Sequence, residues 1–385
     1  MIKILWVGDG GVSSGFARVN HSIINNLPKD EFEVHHLAVN YRGDPHPDAS
    51  KFMYSATAEN PNDYLGFGRV PKLLKKLEPD ILFILNDPWV IYEYLKFVPV
   101  GTKVVGYTPV DAKPLQHEWA AVLNKMSQLI TYTEFGRQAF LEAYPEFHDI
   151  KVIQHGIDRD RFYPVDQQEA RELLGEGVPQ NGFIVFNGNR NQPRKRIDLT
   201  IKAFAEFAKD KDDVFLYLHM GQQDMGWDVI KLATRYGLKP GQLIMTSKDV
   251  SPANFVSDET LNLIYNACDV GINTSQGEGW GLVSFEQGVC GVPQIVPNSA
   301  ATAEIYPDDT VLKIDISHYD PYPQMLTEGA VVSLEHTVQC LNTYYYDIEL
   351  RKQHGENLRN LILQPRFDWE NVAAEFAEVF RGVNG

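Results

Sequence analysis

Short apolar runs alternate with amphipathic stretches along this chain, and that alternation predicts its architecture. The runs Lys3–Val7, Val34–Val39, Ile81–Leu85, Lys103–Tyr107, Gln128–Thr131 and Lys151–Ile153 are too short for buried helices and read as strands. Helical spacing falls between them, at Val70–Leu77, Ile91–Phe97 and Glu134–Ala143, and after a glycine-rich turn as far as Leu27. The pattern begins again at Phe183–Phe186. Strands are expected at Val214–Met220, Leu243–Thr246, Val270–Thr274 and Gln294–Val296, with helices at Ile197–Ala208, Trp227–Tyr236, Asp258–Ala267 and Gly281–Cys290. Alternation of this kind implies an α/β chain with parallel sheets covered on both faces. Two domains are expected, residues 1–165 and 180–366, with a break between Tyr163 and Gly182.

Composition narrows the function classes. A length of 385 residues suits two domains at a prior of about 150 residues each. The net charge of −16 argues against a generally basic nucleic-acid or membrane surface. Three widely spaced cysteines suggest neither a disulfide framework nor a zinc site. The N-terminal apolar run reads as a strand rather than a signal peptide, and no stretch reaches the ~18 apolar residues of a membrane span. A cytoplasmic enzyme is the expectation.

The candidate chemistry gathers around 270–293. There a strand breaks at Ser275-Gln276-Gly277-Glu278-Gly279 and a helix follows, stopped by Gly291 and Pro293. The first helical amides, at Gly281 and Leu282, have no partner within the helix and suit an anion such as phosphate. Glu278 beside the helix start and Glu286 within it are better acceptors for sugar hydroxyls than ligands for phosphate. A basic island, Arg190 to Arg196, puts four cations at another glycine turn and helix start, where the dipole already favours anions. Gly10 and Gly11 form either a close approach to a ligand or a plain tight turn. Asp111 ends a strand where open α/β sheets bind ligands, or simply forms a turn. Asp158-Arg159-Asp160 reads as capping in a linker rather than a metal motif.

Glu278-Gly279-Trp280-Gly281-Leu282, Glu286 and Cys290-Gly291-Val292-Pro293 together resemble the E-x7-E signature of the retaining GT-B glycosyltransferases, family 4. Trp280, Val283 and Gln287 stand where the family usually has Phe, Pro and Ala. Arg190 and Lys195 fit its G-R-x4-K pattern, Gln154–Pro164 its N-G-V-D segment, and Phe367-Asp368-Trp369-Glu370 its final helix. Arg196-Ile197-Asp198 resembles the variant in some virus-encoded members, for which the host cytoplasm would be the location.

The resemblance implies two Rossmann-like domains facing a cleft. The first would serve the acceptor, and the second a nucleotide-sugar donor, UDP- or GDP-linked, with no further cofactor and no metal. The final helix, 367–385, would pack back on the first domain, with Asp368 as its N-cap. Arg190 and Lys195 would clamp the donor diphosphate, Gly10 and Gly11 would lie over it, and Gly279, Trp280, Gly281 and Leu282 would complete the donor site. Glu286 would hold ribose, and Glu278 the sugar. Ser247–Val256 would seat the base. Many members have a histidine where Asp111 stands, and often G-G-x-x-E where this chain has Ala300-Ala301-Thr302-Ala303-Glu304. The acceptor is open: a saccharide first, with protein, lipid or modified nucleic acid behind it. Rival readings are a sugar-nucleotide epimerase and a non-catalytic nucleotide-sugar sensor; hydrolysis of donor without acceptor would separate an enzyme from the sensor.

Overall fold

Each half of the chain builds its own parallel sheet. The computed structural model describes residues 1–11, 14–41, 43, 52–247, 250, 255–322 and 325–385. One unit comprises Met1–Gly156, Met325–Thr327 and Pro365–Gly385. Its strands are β1 (Ile2–Asp9), β2 (Phe32–Val39), β3 (Met53–Ser55), β4 (Ile81–Leu85), β5 (Val104–Thr108), β6 (Gln128–Thr131) and β7 (Ile150–Val152). They lie in the order β3-β2-β1-β4-β5-β6-β7, all parallel. β4 is buried along its whole length, as a central strand covered on both faces must be. The order reverses between β1 and β4, the switch point at which such sheets hold ligands beyond their carboxyl ends.

Helix Trp369–Asn384 completes this unit. Phe376 and Phe380 set their ring edges against Phe83 at 5.9 and 5.7 Å, and Phe380 meets Trp6 at 6.1 Å. Gly156 is bare for the same reason: a Cβ there would stand 2.6 Å from the Trp369 ring. Asp368 occupies the N-cap position, but its side chain does not close the cap.

The other unit comprises Ile157–Gln324 and Glu328–Gln364. Its six strands are β8 (Phe183–Asn187), β9 (Val214–Leu218), β10 (Leu243–Met245), β11 (Val270–Ile272), β12 (Gln294–Pro297) and β13 (Val311–Ile314). They run parallel in the order β10-β9-β8-β11-β12-β13. A separate antiparallel hairpin, β14 (Ile316–Pro321) and β15 (Glu328–Val332), follows, then helices Leu334–Tyr346 and Ile348–Ile362.

The chain enters this unit at Ile157, ahead of the expected end at 165. Phe162 packs on Tyr265 at 5.5 Å, and the side chains of Asn262 and Asn266 accept the amides of Tyr163 and Val165. β11 ends at Ile272, two residues early, because Asn273 and Thr274 turn their side chains to the loops: Asn273 accepts the Ser275 amide at 2.8 Å, and Thr274 donates to the Arg196 carbonyl at 2.9 Å. Among the described residues no helix is long and apolar enough to cross a membrane.

Candidate donor site

β8 and β11 are neighbours, and the strand order reverses between them. The loops that leave their carboxyl ends therefore meet at the second sheet's switch point.

The loop after β8 is held by asparagines. Asn187 donates to Thr200 at 2.9 Å and accepts the Asn189 amide at 3.0 Å; Asn191 accepts the Trp227 amide and donates to the Trp227 carbonyl at 2.6 Å. A 3-10 turn, Pro193–Lys195, then leads through Arg196, at φ 47°, into helix Ile197–Phe207.

Each member of the basic island has a partner inside the protein, which the sequence did not foretell. Arg190 pairs with Asp224 at 2.6 Å in a half-exposed position. Arg194 donates to the Gly277 carbonyl at 3.0 Å, and Arg196 pairs with Asp198 through two 3.0 Å bonds. Lys195 is buried, its ammonium 2.5 Å from the carboxylate of Glu278.

Glu278 is the hub of the loop after β11. It is 6% exposed, and its Oε1 accepts from Lys195 at 2.5 Å, Asn273 at 3.0 Å and Ser275 at 2.7 Å. Among the described residues no hydrogen bond reaches Oε2. Burial alone would push this carboxyl up; the charges of Lys195 and Arg194, with the bonds from Lys195 and Ser275, outweigh it and hold it at about 2. Glu278 is thus a fixed carboxylate with one oxygen occupied.

Gly281, at φ 90°, caps the helix Leu282–Val289, which is shorter by one residue at each end than expected. That left-handed conformation is one that glycine adopts without strain. Gly279 is buried in the loop. Trp280 is packed rather than presented, 3% exposed with its ring edge 5.3 Å from Phe285. Glu286 lies on the same helix, buried, accepting from the Tyr265 hydroxyl at 2.9 Å.

The structure therefore brings Lys195, Glu278, Gly279, Trp280, Gly281, Leu282 and Glu286 to one region of the second unit. Gly10, Gly11 and Asp111 belong to the first. Gly10 follows β1, where a Cβ would stand 2.7 Å from both Ala38 and His36, and one on Gly11 would meet Tyr41 at 2.6 Å. Close packing against β2 and its loop thus demands these glycines irrespective of any ligand. Asp111 is half-buried beyond β5. Asp158 accepts the amides of Asp160 and Arg161 and pairs with Arg161 at 2.7 Å, the capping role expected of it. Most of Ser247–Val256 lies outside the described residues. Glu304 is exposed on helix Ala300–Ile305.

Asn273, Ser275 and Tyr306 escaped the sequence reading. The first two anchor Glu278. Tyr306 is fully buried, its hydroxyl has no hydrogen-bond partner among the described residues, and burial and then the Glu278 charge push its pKa well up. Single polar residues in a loop carry no pattern that would have marked them.

Residues 173–312 match the model of the family glycosyl transferases group 1. The chain is 26% identical over 183 residues to the mannosylfructose-phosphate synthase of Agrobacterium fabrum, covering 47% of this chain and 40% of that protein. It is 23% identical over 239 residues to D-inositol 3-phosphate glycosyltransferase 2 of Catenulispora acidiphila, covering 60% and 50%. The match thus spans half or less of the length of these curated relatives. Among solved structures, sucrose-phosphate synthase of Thermosynechococcus elongatus superposes with a TM-score of 0.72 at 17% identity, covering 100% of this chain and 99% of that one. Anabaena HepE in complex with UDP-glucose does so with a TM-score of 0.72 at 18% identity, covering 99% and 100%. The fold is GT-B.

Proposed function

With residues 173–312 a glycosyl transferases group 1 domain on a GT-B fold, we propose that the protein moves a sugar from a nucleoside-diphosphate sugar, UDP- or GDP-linked, to an acceptor hydroxyl, with retention at the anomeric carbon and no bound metal. The observation that carries this reading is the Lys195–Glu278 pair, set between the loops of β8 and β11 just before a helix start.

A departing nucleoside diphosphate develops negative charge. Arg190 and Lys195, with the first amides of helix Leu282–Val289, would neutralise it, and losing one such donor costs about 10²–10³ in rate. Two cationic side chains and a helix N-terminus do electrostatically what a divalent ion does elsewhere. Glu278 is ionised throughout the working pH range and offers Oε2 to a sugar hydroxyl while Oε1 stays tied to the loop. Glu286 would take the ribose hydroxyls. In retaining transfer the acceptor attacks from the leaving group's own face, and the departing phosphate oxygen takes the acceptor's proton. Asp111 would orient the acceptor or assist as a base.

The test is turnover of UDP- and GDP-sugars against a saccharide panel in excess EDTA, with the product's anomeric coupling read by NMR. Activity lost in EDTA and restored by manganese would remove the metal-free account, and an inverted product would remove retention.

A further inference from the structure

A chain of hydrogen bonds links the loop after β8 to the loop after β11, and its direction follows from its ends. The amide of Asn189 can only donate, so its 3.0 Å bond places the Asn187 oxygen there and turns the Asn187 amino group to Thr200, at 2.9 Å. A hydroxyl has one proton to give. Thr274 gives its proton to the carbonyl of Arg196 at 2.9 Å, with the Lys195 carbonyl a longer second acceptor at 3.3 Å. In the 2.7 Å bond between the two threonine hydroxyls, Thr200 is therefore the donor. The order is Asn187, Thr200, Thr274, Arg196, each donating to the next. The first three are fully buried, so no water replaces a lost member.

Thr274 sits where both halves of the Lys195–Glu278 pair are set. Its neighbours in sequence, Asn273 and Ser275, bond Oε1 of Glu278 at 3.0 and 2.7 Å. Its hydroxyl holds the two carbonyls that follow the Lys195 side chain. The second belongs to Arg196, whose φ of 47° is a conformation that residues other than glycine keep only where their surroundings enforce it. One hydroxyl thus joins the backbone that carries the ammonium to the backbone that anchors the carboxylate. Two further ties keep the loops together without it: the Gln276 amide on the Arg194 carbonyl at 2.8 Å, and Arg194 on the Gly277 carbonyl at 3.0 Å. What Thr274 adds is the setting of the turn at Arg196.

We propose that Thr274 is a positioning residue for the donor diphosphate, acting through Lys195: its hydroxyl, oriented by Thr200, holds the turn at Arg196 and so keeps the Lys195 ammonium where it meets both Glu278 and a bound diphosphate. The proposal rests on the glycosyl-transfer reading.

The experiment titrates the intact protein with UDP and with GDP by calorimetry, as wild type, Thr274→Val and Thr274→Ser. Valine keeps the shape and removes the hydroxyl, and serine restores it. Thr274→Val should bind nucleotide about fivefold or more weakly, the size of one buried hydrogen bond. Thr274→Ser should bind within about twofold of wild type. Double variants supply the readout that packing alone does not move. Added to Arg190→Ala, Thr274→Val should multiply the loss, because Arg190 lies off this chain of bonds. Added to Lys195→Met it should lose nothing further, because the residue that it positions is gone. Melting curves establish which variants are folded, and the serine comparison provides the test if Lys195→Met is not. Thr200→Val, which leaves the Thr274 hydroxyl without the donor that orients it, should weaken nucleotide in the same sense and takes over if Thr274→Val does not fold. Unchanged affinity in Thr274→Val, or in Thr200→Val where it stands in, overturns the proposal. So does an equal loss in Thr274→Ser, or a loss that multiplies with Lys195→Met. Wild type that binds neither UDP nor GDP sinks the glycosyl-transfer reading and this role with it, whereas wild type that binds one of them, with Thr274→Val unimpaired, sinks the role alone.

Discussion

The ammonium of Lys195 lies 2.5 Å from Oε1 of Glu278, and both residues are buried, at 7% and 6% exposure. Taking two charges out of water is costly, and removing one partner is costlier still, because the other then stays buried alone. Lys195→Met should therefore destabilise the fold by about 3–5 kcal/mol, read as a drop in urea midpoint.

The pair also fixes the sign of an acid response. The folded pKa of Glu278, about 2, lies below its ordinary value of 4.5, so this group's stabilisation is complete above pH 4.5 and is lost as pH falls toward 2. In Lys195→Met, burial acts with less opposition and the carboxyl rises. The comparison is the melting temperature from pH 5 to pH 3. Wild type should fall more steeply than the variant across that range, and parallel curves would mean that Glu278 is not depressed by Lys195.

Arg190 provides the contrast. Its bond to Asp224 is half-exposed, and such pairs contribute about 0–1 kcal/mol. Arg190→Ala should leave stability nearly unchanged while weakening nucleoside-diphosphate binding by about 1.5–3 kcal/mol. Isothermal titration with UDP and GDP checks it, and unchanged affinity for both nucleotides would move the phosphate away from this loop.

The two glutamates should separate by ligand. Glu286→Ala is expected to lose affinity for bare nucleotide as well as donor. Glu278→Gln should bind bare nucleotide nearly normally and turn over poorly, because its partners anchor the loop through Oε1 alone. Equal nucleotide loss in both would mean that Glu278 does not serve the sugar.

Gly281→Ala isolates backbone strain. The nearest atom to a Cβ there is 3.7 Å away, so space is adequate, and the φ of 90° alone is at issue. A cost of about 1–2 kcal/mol is expected, visible as a lower melting temperature with the fold intact.

Much of the fold was legible because buried parallel strands are short apolar runs. Ile81–Leu85 and Gln128–Thr131 have the bounds that their patterns imply, as do helices Val70–Leu77, Glu134–Ala143 and Asp258–Ala267. The stretch from Val311 to Ile362 was not legible. Its hairpin pairs antiparallel outside the main sheet, and strand Ile316–Pro321 is largely exposed and polar. In the site, the glycine turns and charges could be read, but their satisfaction could not. Lys195 finds Glu278 83 positions away, and Arg190 finds Asp224 34 away, distances over which only the fold decides who meets whom.

Helix Trp369–Asn384 has a consequence for how the molecule is made. Its aromatic face covers Phe83 and Trp6, so the first sheet is finished by residues that leave the ribosome after those of the second. Ordinarily the leading domain folds first during synthesis. Here the leading sheet must wait with an apolar face uncovered while the trailing one is made, so the second unit is the one able to reach its final form first.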